Sequence, residues 1–164
     1  MADPVVIGII GSTLVTPSVV AFYALSRQRA EFRETRRREL RDLLDEGARA
    51  ITQALRAHED MPWEWSIGVM PPEDRAVEIV AARRATIERA RHVKDRLLIR
   101  LPEDHPVVSA FEEATVALDG FKPINRAYEQ RRDWMPHREA FYTARQTVLD
   151  ARRGYLAAAR AIEG

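Results

Sequence analysis

The chain contains no cysteine, and this absence removes several classes of protein. Disulfide frameworks, thiolate catalysis, zinc fingers and iron–sulfur sites all require cysteine. The sequence also lacks the G-x-S-x-G, G-x-G-x-x-G, P-loop and H-E-x-x-H motifs of hydrolases, dinucleotide folds, phosphate cradles and zinc proteases. We therefore expect a protein that is not an enzyme and that needs no cofactor.

An excess of charge of one sign is absent as well. The 164 residues carry 26 Lys and Arg against 25 Asp and Glu, a net charge of +1. This balance disfavours a nucleic-acid partner, because such proteins present a strong basic field. Arginine greatly outnumbers lysine, however, and guanidinium groups suit phosphate recognition, so an Arg-rich nucleic-acid-binding bundle stays open as an alternative.

One long segment contains no charged residue at all. Val5–Leu25 is rich in Val, Ile and Leu, and as a helix it would be about 31 Å long, which matches the hydrocarbon core of a bilayer. We predict that residues 1–25 form a transmembrane anchor. A cleaved signal peptide and a buried core helix are the competing interpretations, but no Lys or Arg precedes the segment and its length exceeds a normal signal core.

The charges that flank this segment predict its orientation. Only Asp3 precedes it, whereas residues 26–39 form a basic juxtamembrane collar that contains Arg27, Arg29, Arg33, Arg36, Arg37 and Arg38. The positive-inside rule places the N-terminus outside and the rest of the chain in the cytoplasm, as a single-pass plasma-membrane protein. These arginines would lie at the membrane surface, although a solvated helical face with i,i+4 ion pairs also accounts for them.

Two small residues in the segment bear on self-association. Gly8 and Ser12 form a small-xxx-small pair, which favours close packing of two spans and hence a homo-oligomer. Glycine is also common in spanning helices without this role, so both interpretations stay open.

Residues 40–164 show helical periodicity with no period-two stretch, which predicts an all-α cytoplasmic bundle. The first apolar stripe continues from the collar without a break, so the span and the first bundle helix are expected to be one rod ending near residue 58.

Loop residues at 59–72, 102–106 and 133–136 separate four helices, with Asp104 as a candidate N-cap and Pro106 in the first turn. Residues 107–128 keep one apolar phase and are predicted to form one kinked helix. Short loops favour an antiparallel up-down-up-down four-helix bundle.

This topology brings the 59–72 and 133–136 turns to one end of the bundle. They carry Trp63, Trp65, Trp134 and Met70, residue types that are favoured at interfaces, and we take these four as candidate partner-binding residues. The competing interpretation is an apolar plug that closes the end of the bundle.

Metal ligands are weakly indicated. Glu88, His92 and Asp95 share one helical face, but such a set is more often a solvated surface, so we predict no metal site.

The organisation of the first three quarters of the chain resembles a loose group of uncharacterised single-span, membrane-anchored helical proteins from GC-rich Gram-positive bacteria and their phages. The likeness is carried by the span ending at Phe22-Tyr23-Ala24-Leu25, the arginine collar, and Leu97-Leu98-Ile99-Arg100-Leu101 followed by Val107-Val108-Ser109-Ala110-Phe111. The resemblance implies a membrane-tethered cytoplasmic helical domain and transfers no active residue.

These observations predict a non-enzymatic, membrane-anchored interaction or scaffold module whose partners are the lipid bilayer and a protein. A phage- or defence-related protein that perturbs the envelope is the alternative, and for it Pro17 and the small-residue face of the span would matter most.

Overall fold

The structure, a computed structural model, describes residues 16–60, 65, 69 and 71–163, and for 16–21 and 163 it describes the backbone alone. Most of the predicted span, with Gly8 and Ser12, lies outside the described residues. Within the part that is described, no helix combines the length and the apolarity needed to cross a bilayer.

Every described secondary-structure element is helical, which confirms the all-α class. The α-helices are α1 (Thr16–Glu59), α2 (Glu73–Arg100), α3 (Pro106–Ala117), α4 (Lys122–Glu129) and α5 (Arg138–Glu163). Short 3₁₀ turns at Leu118–Phe121 and Met135–His137 precede α4 and α5.

The chain divides into two compact units, Met1–Leu40 and Arg41–Gly164. In the first unit every described side chain from Phe22 to Glu39 is exposed. The ion pairs Arg27–Glu31 and Arg38–Glu34, at 2.9 and 3.1 Å, link successive turns of α1. Exposed pairs of this kind contribute only about 0.3–0.5 kcal/mol each, so the helix gains little stability from them.

The second unit is a helical bundle, and its polar and aromatic contacts give the order of the helices. Along each neighbouring pair, residue numbers rise on one helix as they fall on the other, so neighbours are antiparallel. Helix α1 contacts α2 through Glu46–Arg96 and Gln53–Arg89, and it contacts α5 through Leu44–Tyr155, Thr52–Arg152 and Glu59–Arg145. Helix α2 contacts α3 through Lys94–Glu112 and α4 through Arg83–Asn125. The region of α3 contacts α5 through Phe111–Tyr155 and Phe121–Phe141.

The core consists mainly of the predicted apolar stripes. Buried members of these stripes are Leu43, Leu44, Ile51, Leu55, Val93, Leu97, Phe111, Ile124, Tyr128, Val148 and Tyr155. Only Ala90, Val93 and Leu97 of α2 are buried apolar residues, so α2 contributes less to the core than the other long helices.

The start of α3 corrects one prediction. The N-cap is His105, whose Nδ1 accepts a hydrogen bond from the Val107 amide at 3.2 Å, and not Asp104. Pro106 occupies the first helical turn as expected, and the residue before a proline is driven into the extended region that an N-cap requires.

The predicted kinked helix over 107–128 is divided into α3, a 3₁₀ turn and α4. Pro123 has no amide hydrogen to donate and its ring disfavours an α-helical carbonyl at Asp119, so the chain tightens there and Lys122 N–H bonds to Asp119 O. A Cβ on Gly120 would lie 3.1 Å from Ala144 Cβ, so glycine permits the close approach to α5. The backbone stays right-handed through the turn, which keeps the buried stripe in phase.

Candidate functional site

A polar cluster lies inside the bundle where three helices meet. His58 from α1 and Arg83 from α2 are 1% and 3% exposed, and the half-buried Asn125 comes from α4. A buried arginine is rare without a compensating carboxylate. Within the described part of the chain, Arg83 forms no salt bridge. The polar cluster is therefore the first place in the bundle to consider for function.

Asn125 Oδ1 holds the polar cluster together. It lies 3.2 Å from His58 Nδ1 and accepts from Arg83 Nη1 at 3.0 Å. An amide oxygen only accepts, so the network assigns the proton of neutral His58 to Nδ1. Arg83 Nε also donates to Ala57 O at 3.2 Å, which fixes the guanidinium against α1.

The surroundings favour neutral His58. Burial, with a smaller contribution from the Arg83 charge, lowers the pKa of His58 to about 4, although the hydrogen bond to Asn125 opposes the shift. The ring of His58 also stacks on Phe121, with centroids 4.5 Å apart and planes 3° from parallel. Burial likewise lowers the pKa of Arg83, whereas Tyr128 and Glu129 oppose that shift. The cluster thus combines a neutral imidazole with a guanidinium cation.

Two atoms of the polar cluster have no hydrogen-bond partner in the described structure. They are His58 Nε2, an acceptor in this tautomer, and Arg83 Nη2, a donor. Each buried polar atom left in this way costs about 1–3 kcal/mol. These two atoms can still form hydrogen bonds, and they lie in the interior of the bundle, where side chains are normally apolar.

An aromatic cluster of Trp65, Tyr128, Trp134 and Phe141 closes the end of the bundle beside these residues. Trp65 contacts Tyr128 edge-on at 5.0 Å and Trp134 at 5.0 Å, and Trp134 contacts Phe141 at 5.3 Å. Trp65 Nε1 donates to Arg132 O at 2.8 Å, so its polar atom is also satisfied. The loops that carry Trp65 and Trp134 therefore meet, as the predicted antiparallel topology requires.

A groove with a volume of about 670 Å³ runs between α2 and α4, and Tyr128 is among the residues that line it. Its apolar floor consists of Ala76, Val77, Val80 and Ala81 together with Tyr128. Glu73, Arg84, Glu129 and Arg131 provide charges along the rim. This volume is in the range of small-molecule sites, which bind an apolar body and orient it with a few polar groups.

Arg131 at the rim has a strained backbone. Its φ is 53°, a conformation that glycine normally supplies after a helix. Arg131 N–H bonds to Tyr128 O and Arg132 N–H to Ala127 O, the pattern of a Schellman helix end. Its side chain donates from Nη2 to Pro71 O at 3.2 Å, which ties the segment before α2 to the end of α4.

The predicted partner-binding residues differ in their outcome. Trp65 and Trp134 are 1% and 7% exposed, so their burial favours the plug over a partner site. Trp63 and Met70 lie outside the described residues. The six collar arginines are all exposed, and their role at a membrane surface stays a prediction.

Sequence reasoning missed Arg83 and Asn125, although one signal was present. The apolar stripe of α2 includes Val80 and Ile87, and the turn between them presents Arg83 at the in-phase position. His58 lies in phase with Ile51 and Leu55 on the buried face of α1. An arginine and a histidine on the inner stripes of two neighbouring helices indicate a buried polar contact.

The three residues considered as a metal face give no such site. Glu88 and His92 are exposed, and Glu88 forms an ion pair with Arg91 at 2.6 Å. Over the described residues, no group of three or more ligating side chains is close enough to hold a metal ion.

Comparison of the chain with protein-family models, with curated proteins and with solved structures finds no match. The resemblance to single-span helical proteins therefore stays a prediction.

Proposed function

We propose that the chain is a membrane-anchored, non-enzymatic interaction module, in which the uncharged N-terminal segment enters the plasma membrane and the bundle binds a protein in the cytoplasm. One observation carries the anchoring. Phe22, Tyr23 and Leu25 are 71%, 68% and 54% exposed, although large apolar side chains so close together normally find cover. They continue the uncharged segment and end where the collar begins.

The collar supports the proposed orientation. Its arginines are exposed on α1, directly after the aromatic pair Phe22–Tyr23. Aromatic rings favour the membrane interface, and arginines just beyond them attract anionic headgroups by about 1 kcal/mol each. This sequence of side chains is typical of the cytoplasmic end of a span.

The bundle offers a surface for a protein partner along α5. Val116, Met135 and Tyr142 are exposed apolar side chains that line two adjoining depressions of about 690 and 740 Å³. The depressions share Glu139, Thr143 and Thr147, so they form one continuous face. We name this surface the α5 face and assign the proposed partner to it.

Cell fractionation tests the anchor. The full chain should stay with the membranes after a carbonate wash, and Ile9→Arg combined with Leu14→Arg should release it, because each arginine in the hydrocarbon costs about 2.5–3.5 kcal/mol. Gln28→Arg combined with Ala30→Arg is the matched control and should stay with the membranes. Release of the unmodified chain by carbonate would contradict the anchor.

Protease added to intact cells tests the orientation. An epitope after Gly164 should survive until the membrane is permeabilised. Its loss in intact cells would contradict a cytoplasmic bundle.

Photo-crosslinking tests the α5 face. A crosslinking residue at Val116 should capture a discrete partner, whereas the same residue at Ile99, an exposed apolar position on α2, should not. Equal capture at both positions would argue against a specific face.

A further inference from the structure

Tyr128 lines the groove between α2 and α4 and also contacts the polar cluster. Tyr128 forms part of the groove floor, and its ring lies 5.0 Å from the guanidinium carbon of Arg83. Arg83 Nη2 is buried and has no hydrogen-bond partner among the described residues. A cation with a spare donor thus lies next to a residue that lines the groove.

The charges near the groove favour an anion. Arg84 and Arg131 line it and Arg83 lies next to its lining residue Tyr128, against Glu73 and Glu129. Three cations against two anions leave an excess positive charge, and the most buried of the five groups is Arg83. A carboxylate fits a guanidinium better than a neutral group does, because charge-assisted hydrogen bonds are roughly twice as strong as neutral ones.

We propose that this groove binds a small amphiphilic carboxylate. Its apolar body lies on Ala76, Val77 and Val80, and its carboxylate accepts from Arg83 Nη2 after the Tyr128 ring turns aside. This proposal goes beyond the interaction module and does not depend on the membrane anchor or on the α5 face.

The Tyr128 movement has a spectroscopic consequence. Trp65 packs edge-on against Tyr128, so its fluorescence reports a change in the ring next to it. Binding that turns Tyr128 should therefore alter tryptophan emission, whereas binding at the rim alone should not.

The first experiment compares two probes on the purified, unmodified full chain, with the same solution without protein as the blank. The probes are 4-phenylbutyrate and its uncharged amide, which have the same apolar body. Calorimetry should show the carboxylate binding about tenfold more tightly than the amide at pH 7.5, as one charge-assisted contact provides. Tryptophan emission should change over the same concentration range.

Variants then locate the carboxylate. Arg83→Met should reduce the preference for the carboxylate to about threefold or less, whereas Arg91→Met, an exposed arginine of α2 that does not line the groove, should preserve it. Val80→Phe should weaken both probes by filling the floor, and Val116→Phe on the α5 face should weaken neither.

Several results would overturn the proposal. Equal affinity for the two probes would remove anion recognition, and the absence of any heat for both would remove the site. Binding unaffected by Val80→Phe would place the probe elsewhere, and unchanged tryptophan emission on binding would exclude the Tyr128 movement. The two-probe comparison needs no variant, so it decides the question even where Arg83→Met does not fold.

Discussion

The hydroxyl of Tyr155 occupies the space that a side chain at Gly47 would fill. Tyr155 reaches across from α5 and donates to Leu44 O at 2.9 Å, and a Cβ on Gly47 would lie 2.8 Å from Tyr155 Cζ and 3.3 Å from Phe111 Cε2. Burial raises the pKa of Tyr155 far above its ordinary value, with a smaller contribution from Asp45, so the phenol stays protonated and donates. The glycine therefore serves packing between α1 and α5.

Gly47→Ala is expected to destabilise the bundle by about 2 kcal/mol. Overpacking of a core typically costs about 1–3 kcal/mol, and here it outweighs the gain of up to about 1 kcal/mol that alanine brings to a helix. Denaturant unfolding of the full chain measures the change. Gly154→Ala is the control on α5, where a Cβ meets nothing within 4 Å, and it should stabilise the protein by about 0.5–1 kcal/mol. A stabilising Gly47→Ala would contradict the packing.

Tyr155→Phe should cost about 1 kcal/mol, since it removes the hydrogen bond to Leu44 O and keeps the buried ring. It should also reduce the cost of Gly47→Ala, because the hydroxyl is among the atoms the new methyl meets. A double-mutant cycle on unfolding free energies measures this coupling, which we expect at about 1 kcal/mol. Strict additivity of the two changes would show that the residues do not compete for the same space.

The sequence was sufficient to predict most of the helical core because apolar spacing is a local property. Phe111, Leu118 and Tyr128 follow one phase across Gly120 and Pro123, and that phase survives because the backbone only tightens into a 3₁₀ turn. Loop positions also predicted that Trp65 and Trp134 would meet, since antiparallel helices return the chain to the same end.

The site was harder to predict because it depends on exceptions to that pattern. Arg83 is buried at a position where binary patterning expects an apolar residue, and its hydrogen bonds to Asn125 Oδ1 and Ala57 O, both on other helices, make it acceptable there. The groove arises from the small residues Ala76 and Ala81, whose sequence signal is weak. Such features depend on three-dimensional neighbours, which periodicity does not specify.

His58 should make the bundle sensitive to mild acid. The unfolded chain binds a proton at this histidine near pH 6.5, whereas the folded protein binds it only near pH 4. Between these values the unfolded state holds more protons, so the free energy of unfolding falls as the pH falls, by up to about 1.4 kcal/mol per unit and about 3 kcal/mol in all. Below about pH 4 this contribution is fully lost and levels off.

Unfolding curves measured between pH 7 and pH 4 for the full chain and for His58→Gln separate this effect from other titrations. Glutamine retains an N–H for Asn125 Oδ1 but does not titrate, so the difference between the two proteins should shrink or reverse as acid is added. A difference independent of pH would show that His58 is accessible to protons in the folded state.

Trp65 should be among the most sensitive positions for stability. Its ring is buried between Tyr128 and Trp134 and its Nε1 donates to Arg132 O, so Trp65→Ala removes a large apolar group and a satisfied hydrogen bond together. We expect a loss of about 3–5 kcal/mol in the free energy of unfolding. Met135→Ala, which truncates an exposed side chain next to Trp134, should change it by no more than about 0.5 kcal/mol. Because a plug contributes to folding and a partner site contributes to binding, a fully stable Trp65→Ala protein would restore the interface interpretation that burial argues against.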